Sequence, residues 1–315
     1  MILWWSGLLA GSLYVLIKGS ELFIDGSKAI GQRIGLKPFV IGVLIVGFGT
    51  SLPELASSIS AVLQGATEIV LANVVGSNIT NILLIVGLLA AVGGTIKIKR
   101  DLLHTELPIF FIGTVHFAAV IYDGVVDRLE ALLLLGTFGA YMWYIYSESK
   151  DGIEDELENS HKHKHTIRSV VFLLSGLVAV LVGAYYTIEM TVNIATAFSV
   201  PIGLVSIVAI AIGTSLPELV VSIQALRTGE TAMAIGNIFG SNAFNIMMVT
   251  AIPALIMPLQ ADVVVMQLGL AVLLAASAIF FVNGLARQIM RWEGLMMLIF
   301  FLFFLIKLTE FIHPV

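Results

Sequence analysis

The heptapeptide GTSLPEL occurs twice in this sequence, at positions 49–55 and 213–219, with all seven residues identical. Further pairs keep the same offset of 164 residues without a gap: Asn73 and Asn237, the GSN triplets at 76–78 and 240–242, and the NI dipeptides at 81–82 and 245–246. Self-similarity at one fixed spacing is typical of an internal duplication. The chain is therefore predicted to consist of two homologous halves.

The sequence around these motifs is too apolar for a soluble protein. Hydrophobic residues make up 58% of the 315 residues and charged residues only 12%, against about 25% charged residues in soluble domains. Ten of the 37 charged residues lie within positions 147–168 alone. We predict an integral membrane protein, which excludes a disulfide scaffold, a nucleic-acid binder and a soluble enzyme. The absence of cysteine also excludes thiolate metal sites and a cysteine nucleophile.

Ten apolar runs are long enough to cross a bilayer core, which requires about 20 residues. They cover residues 2–23, 39–63, 69–92, 102–122, 129–146, 167–188, 200–225, 232–257, 263–282 and 292–312. An all-α membrane protein follows, with one five-helix repeat at 1–147, a linker at 148–166 and a second five-helix repeat at 167–315, all in one membrane domain. Because five is odd, the halves would be inverted, with a binding site at the midplane between them.

Basic residues give the expected orientation. With the N-terminus outside, thirteen of the sixteen Lys and Arg residues fall in cytoplasmic loops, and Arg128 falls in an outer loop, as the positive-inside rule requires. Lys18 and Lys307 lie within spans, where Glu21 and Glu310 are the expected local partners. No cleaved signal peptide is recognised. The expected location is the cell membrane, with multiple passes and a cytoplasmic central linker.

The linker is polar and carries His161, His163 and His165 at alternate positions. We interpret it as a solvated connector between the halves. Alternate histidines can also chelate transition metals, so a weak metal-binding or regulatory role stays open.

Two acidic residues of the repeated heptapeptide, Glu54 and Glu218, lie near the middle of predicted spans with no Lys or Arg at that depth. A charge there costs about 2.5–3.5 kcal/mol on insertion scales, so such residues are functional by default. Other oxygen donors lie four residues away on the same helix face in each copy: Thr50 before Glu54, Ser77 before Asn81, Thr214 before Glu218, and Ser241 before Asn245. Oxygen donors of this kind suit a hard cation such as Ca²⁺.

Backbone oxygens add to this set. Pro53 and Pro217, within predicted spans, would free the carbonyls of Gly49 and Gly213. The GSN triplets favour close helix packing through small residues, which is compatible with ligation by their serines. We expect the triplet asparagines Asn78 and Asn242 to have a structural, hydrogen-bonding role.

The doubled GTSLPEL and GSN motifs in a ten-span chain resemble the cation/calcium exchanger superfamily, and most of all its prokaryotic sodium/calcium exchanger branch. This resemblance implies two inverted five-helix repeats whose second and third helices form central cation sites, while a long, nearly parallel pair, the first and sixth spans, slides across them. It implies the following ligands: Glu54 and Glu218 with the Thr50 and Thr214 carbonyls for Ca²⁺; the side chains of Ser51, Ser77, Ser215 and Ser241 with carbonyls near Gly47 and Ala211 for Na⁺; and Asn81 and Asn245 at the remaining central positions.

The function implied by the resemblance is that of a secondary antiporter, not an enzyme, which exchanges Na⁺ for Ca²⁺ by alternating access. The ions are transported ligands rather than cofactors. The expected partners are Ca²⁺, Na⁺ and the lipid bilayer, with no nucleic acid and no obligate protein partner. Because positions 81 and 245 are both Asn, K⁺ co-transport is not expected.

Three alternatives differ in class. A proton/calcium antiporter of the same superfamily stays open, because two protons neutralise two glutamates as well as one Ca²⁺ does. Broken helices would also suit a passive channel, although a channel needs no inverted duplication. An intramembrane hydrolase ranks last, because His104, His116 and His313 lie outside the repeated motifs and no nucleophile–base arrangement is visible.

Overall fold

The computed structural model describes residues 2–97, 106–150, 166–198 and 213–312. These residues form ten helices: α1 Ile2–Arg33, α2 Pro38–Leu63, α3 Glu68–Gly93, α4 Glu106–Val120, α5 Arg128–Lys150, α6 Thr166–Ala197, α7 Leu216–Arg227, α8 Thr231–Ile256, α9 Val265–Leu285 and α10 Arg291–Ile312. Four of them contain a π-helical stretch, at Gly42–Gly47 in α2, Thr80–Val86 in α3, Asn245–Val249 in α8 and Val265–Gly269 in α9.

The helices agree with the predicted apolar runs, each of which overlaps one helix. Within the described ranges, seven helices are long and apolar enough to cross a membrane, namely α1, α2, α3, α6, α8, α9 and α10, and Leu107–Val120 in α4 is a shorter apolar helix. The prediction of a multi-pass helical membrane protein is confirmed at this level.

Two helices are longer than the apolar runs that predicted them. α1 and α6 each have 32 residues, whereas the runs end at positions 23 and 188. Beyond the first run, Lys28 on α1 forms an ion pair with Glu230, and Gly31 packs against Ile41. Tertiary contacts therefore extend the helix past the point where hydropathy falls, since hydropathy marks the lipid-soluble part of a helix rather than its end.

α1 and α6 pack side by side in opposite chain directions. The hydroxyl of Thr187 donates to Ser12 Oγ at 3.0 Å, and further along α1 a Cβ added at Gly176 would clash with the backbone of Phe23. Residue numbers thus rise along α1 as they fall along α6. The implied long pair is present, and its antiparallel direction is the relation expected of the first helices of two inverted halves.

Two short antiparallel ribbons join loops from different halves, and sequence analysis missed both. Strand β1 (Ile96–Lys97) pairs with β4 (Gln288–Ile289), and β2 (Val125–Val126) pairs with β3 (Leu259–Gln260). The 164-residue offset carries β1 onto β3 and β2 onto β4 to within a residue. The two ribbons are therefore repeat equivalents of each other.

The chain divides into two compact units, and each contains parts of both halves. Unit 1 comprises Met1–Thr50 and Ile145–Asn237, and unit 2 comprises Ser51–Tyr144 and Ile238–Val315. In unit 1 the core includes Leu16, Phe23, Ile41, Val180 and Val221. In unit 2, three rings from α4, α8 and α9 cluster with centroids 4.7–5.9 Å apart: Phe110, Phe239 and Phe280. The predicted boundaries at 147 and 167 thus separate sequence repeats rather than compact units.

Candidate functional site

The two heptapeptides produce the same irregularity in the backbone. Ser51 interrupts α2 with φ −88° and ψ 4°, and Ser215 precedes α7 with φ −87° and ψ 6°. These angles fall in the sparsely populated bridge region, which is common at active sites. Pro53 and Pro217 lie at the start of the helical segments that follow, where a missing N–H is tolerated. The predicted irregularity is confirmed, and it falls on the two serines.

Each break places a glutamate in the first turn of the following helix. Glu54 is 1% exposed and Glu218 is fully buried, and of all the charged side chains that the structure describes, only these two are buried. The N-terminal turn of a helix favours a carboxylate because its N–H groups and dipole are positive. The predicted local pairs are also confirmed, since Lys18 contacts Glu21 at 2.7 Å and Lys307 contacts Glu310 at 2.6 Å, both at exposed positions.

In unit 1, the predicted ligands lie on α2 before the break and around the start of α7. Gly47, Thr50 and Ser215 are buried, as is Glu218, while Thr214 is half-buried. The Thr50 hydroxyl lies 3.3 Å from the Gly47 carbonyl oxygen and 3.2 Å from Asn237 Oδ1, within hydrogen-bond reach of both acceptors.

In unit 2, the predicted ligands occupy α2 after the break, α3 and α8. All six are buried: Ser51, Glu54, Ser77, Asn81, Ser241 and Asn245. Asn81 and Asn245 lie at the same place in the two repeats, each at the start of a π-helical stretch. Because π-helical turns occur frequently at functional sites, this local geometry is an independent indication that the two asparagines matter.

The asparagines of unit 2 form different bonds in the two repeats. Asn81 Nδ2 donates to Asn242 Oδ1 at 3.0 Å, and Asn78 Nδ2 donates to the Val74 carbonyl at 2.8 Å. The predicted hydrogen-bonding role of Asn78 and Asn242 is confirmed. Within the described ranges, Asn81 Oδ1 and both polar side-chain atoms of Asn245 have no hydrogen-bond partner. Buried polar atoms normally have partners, so these atoms are suited to hold a cation or water.

Sequence analysis missed a pair of serines one helical turn after the motif glutamates. Asn237 Nδ2 donates to Ser222 Oγ at 2.8 Å, and Asn73 Nδ2 donates to Ser58 Oγ at 3.5 Å. Both serines are buried and are related by the same 164-residue offset. Extending the repeat alignment by four residues would have found them.

Several predicted residues cannot be placed. Ala211, the three linker histidines, His104 and His313 lie outside the described residues. The described His116 lies 2.9 Å from the Thr137 hydroxyl, on helices that carry none of the repeated motifs. In the part of the chain that the structure describes, no group of three or more His, Cys, Asp or Glu could hold a metal. Amide, hydroxyl and backbone oxygens would have to supplement the glutamates.

Comparison with known proteins agrees with this architecture. The family model described as sodium/calcium exchanger protein matches residues 4–147 and 168–309. The sodium/calcium exchanger MaX1 of Methanosarcina acetivorans is 30% identical, and the alignment covers 96% of this chain and 97% of that protein. The inner membrane protein YrbG of Escherichia coli is 33% identical over 87% of each chain.

A solved structure of the sodium-calcium exchanger NCX_Mj, soaked with zero Na⁺ and Ca²⁺, superposes with a TM-score of 0.84 at 30% identity, covering 98% of this chain and 100% of that one. The family match extends over both halves and the structural match over nearly the whole chain. This chain therefore belongs to the sodium/calcium exchanger family of the cation/calcium exchanger superfamily, as a helical, multi-pass membrane protein.

Proposed function

We propose that the protein is a secondary antiporter that exchanges external Na⁺ for internal Ca²⁺ by alternating access. The observation that carries this proposal is the burial of Glu54 and Glu218, the only buried charged side chains among the described residues. They occupy equivalent positions beside equivalent helix breaks. Such residues within membrane helices are functional by default.

The proposed ligands are oxygen atoms throughout. Ca²⁺ takes six to eight of them, preferring carboxylates and carbonyls, so we assign Glu54 and Glu218 to Ca²⁺ with the carbonyls of Thr50 and Thr214. The flanking Na⁺ sites would use hydroxyls and further carbonyls, and the central amides complete the set: Ser51, Ser77, Ser215 and Ser241, with carbonyls near Gly47 and Ala211, and the side chains of Asn81 and Asn245.

Charge balance favours exchange over leak. One Ca²⁺ neutralises two carboxylates, and so do two Na⁺, so the two ions compete for the same negative charge. A third Na⁺ would make each cycle electrogenic. Two bare carboxylates are costly to expose to a low-dielectric interior, which disfavours movement of the empty carrier. The penalty on the empty state is the physical basis of obligatory antiport.

The proposed topology has ten spans in two inverted repeats, with the N-terminus outside and the linker in the cytoplasm. Both ribbons support it, because each pairs loops that the distribution of Lys and Arg assigns to the same side: β1 with β4 in the cytoplasm and β2 with β3 outside. The antiparallel packing of α1 and α6 is a second, independent support.

Na⁺ is the proposed coupling ion because relatives that align with most of the chain are named sodium/calcium exchangers. The sodium/potassium/calcium exchanger 1 of Gallus gallus aligns with only 42% of the chain, and positions 81 and 245 both lack a carboxylate. We therefore expect no K⁺ requirement. A pair of glutamates could equally exchange protons, so the coupling ion needs a direct test.

The test is uptake of radioactive Ca²⁺ into proteoliposomes loaded with Na⁺, with K⁺-loaded vesicles as the matched control. Uptake is expected only with an outward Na⁺ gradient. Uptake that ignores Na⁺ but follows an imposed pH gradient would assign the protein to the proton/calcium antiporters. Ca²⁺ currents far above carrier turnover, with no dependence on either gradient, would identify a channel instead.

A further inference from the structure

We propose that Asn237 is a positioning residue that fixes the two backbone segments which carry Thr50 and Glu218. This inference rests on the proposed function, since it assigns those segments to cation binding. Asn237 lies on α8 in unit 1, is fully buried, and has no place in the proposed ligand set.

The Asn237 side chain bridges α2 and α7. Its Nδ2 donates to the Glu218 carbonyl oxygen at 3.3 Å and to Ser222 Oγ at 2.8 Å, while its Oδ1 lies 3.2 Å from the Thr50 hydroxyl. The Thr50, Glu218 and Ser222 side chains are also fully buried. One amide therefore contacts the residue before the break in α2 and the first two turns of α7.

The chemistry of this position requires an amide. A primary amide offers two N–H donors and a carbonyl acceptor, and here both a donor-seeking carbonyl and a hydroxyl donor face it. A carboxylate would lose both donors, and an alkyl group would leave buried polar atoms without these bonds, which is the costly outcome for hydrogen-bonded groups. The bonds restrain the Thr50 main chain and the helical turn that carries the Glu218 carboxylate.

Tight backbone packing beside Asn237 supports a fixed position. A Cβ added at Gly42 would lie 3.0 Å from the Asn237 nitrogen, and one at Gly236 would lie 3.1 Å from Gly42 Cα and clash with the Phe39 carbonyl. α2 and α8 thus approach backbone to backbone next to this side chain, so that its contacts are made from a closely packed helix pair.

The bond between Thr50 and Asn237 also has a special place along the chain. Unit 1 ends at Thr50 in one segment and at Asn237 in another. The hydrogen bond therefore joins two residues from which the chain leaves unit 1, and it holds these two exit points together.

The repeat equivalent, Asn73, provides a matched control. Its Nδ2 lies 3.5 Å from Ser58 Oγ, and its Oδ1 lies 3.4 Å from Ser77 Oγ, both near the upper limit for a hydrogen bond. Asn73→Ala deletes the same atoms as Asn237→Ala from weaker contacts.

The experiment measures initial Ca²⁺ uptake per reconstituted protein against Ca²⁺ and Na⁺ concentration for both variants. Asn237→Ala is expected to raise the half-saturating Ca²⁺ concentration by about tenfold, the effect of losing one to two hydrogen bonds, while the maximal rate changes much less. The Asn73→Ala shift should be clearly smaller. Unchanged half-saturation in Asn237→Ala, or an equal shift in Asn73→Ala, would overturn the proposal. A residue with only a fold-maintaining role would lower the amount of active protein and not its half-saturating concentration.

Two further measurements cover other outcomes. If Asn237→Ala does not fold, Thr50→Val removes only the hydroxyl bond and keeps the main-chain carbonyl, so a severalfold rise in half-saturating Ca²⁺ is expected and no change contradicts the role. Hydrogen–deuterium exchange of the first turns of α7 reports the restraint without transport. Exchange there should increase in Asn237→Ala and not in Asn73→Ala, and an unchanged pattern refutes the role even if the wild-type protein carries no Na⁺-driven flux.

Discussion

The two repeats have the same motif residues but do not form the same hydrogen bonds. Asn81 of the first repeat donates to Asn242 of the second at 3.0 Å. The equivalent bond would run from Asn245 to Asn78, yet Asn78 bonds to the Val74 carbonyl, and the Asn245 side chain has no hydrogen-bond partner within the described residues.

A second pair of equivalent contacts differs in length. Asn237 lies 2.8 Å from Ser222, whereas Asn73 lies 3.5 Å from Ser58. The second repeat therefore holds its amide tightly and the first holds its amide loosely, although all four residues are conserved between the copies by type.

These differences teach that duplication sets which groups are present and not which bonds they make. A net hydrogen bond is worth about 1 kcal/mol, with a range of roughly 0.5–1.5, so an exchange of such bonds between equivalent positions is energetically small. In transporters with inverted repeats, one repeat moves against the other around a fixed site. Pairs of alternative bonds of similar energy are well suited to that motion.

The largest expected effect tests whether the repeats are equal where the charge lies. Glu54→Gln and Glu218→Gln should each reduce Na⁺-driven Ca²⁺ uptake to background, because either change halves the buried negative charge that one Ca²⁺ neutralises. Both variants should stay folded, since the amide is nearly isosteric with the carboxyl group.

Glu310→Gln is the matched control, as it makes the same change in an exposed ion pair with Lys307. It should transport like the wild type, because exposed pairs contribute about 1 kcal/mol or less. Retained uptake in either buried variant would refute the shared role of the two glutamates.

Sequence alone predicted the parts of the molecule that depend on polarity and spacing. Glu54 and Glu218 are buried, the helices are irregular near Pro53 and Pro217, and Lys18 pairs with Glu21. Each follows from a strong local rule: the cost of membrane charge, the missing proline N–H, or a spacing of three residues on a helix.

What sequence did not predict depends on tertiary contacts. The extension of α1 to Arg33 follows from packing beyond the apolar run, and strands of two residues, such as β1, are too short to show periodicity. The unequal bonds of Asn81 and Asn245 lie beyond any reading of the motif, because the motif is the same in both copies. Their difference is a property of side-chain and backbone positions in this one state.

A smaller effect is expected from deleting the two central amides in turn. Asn81→Ala removes the donor to Asn242, while Asn245→Ala removes the same atoms without breaking a hydrogen bond that the structure describes. We expect Asn81→Ala to destabilise the protein by about 1 kcal/mol more than Asn245→Ala. Thermal unfolding in detergent without added Ca²⁺ measures the difference, and equal melting temperatures would show that the asymmetry does not persist in solution.

The smallest effect should come from the serines that the asparagines contact. Ser222→Ala removes a 2.8 Å bond and should raise the half-saturating Ca²⁺ concentration by about two- to threefold. Ser58→Ala removes a 3.5 Å contact, so its effect should lie within experimental error. The pair is matched in helix position, burial and chemistry, and initial uptake rates over a range of Ca²⁺ concentrations distinguish them. An equal response would mean that the difference in length carries no energy, and the second repeat would then hold its glutamate no more firmly than the first.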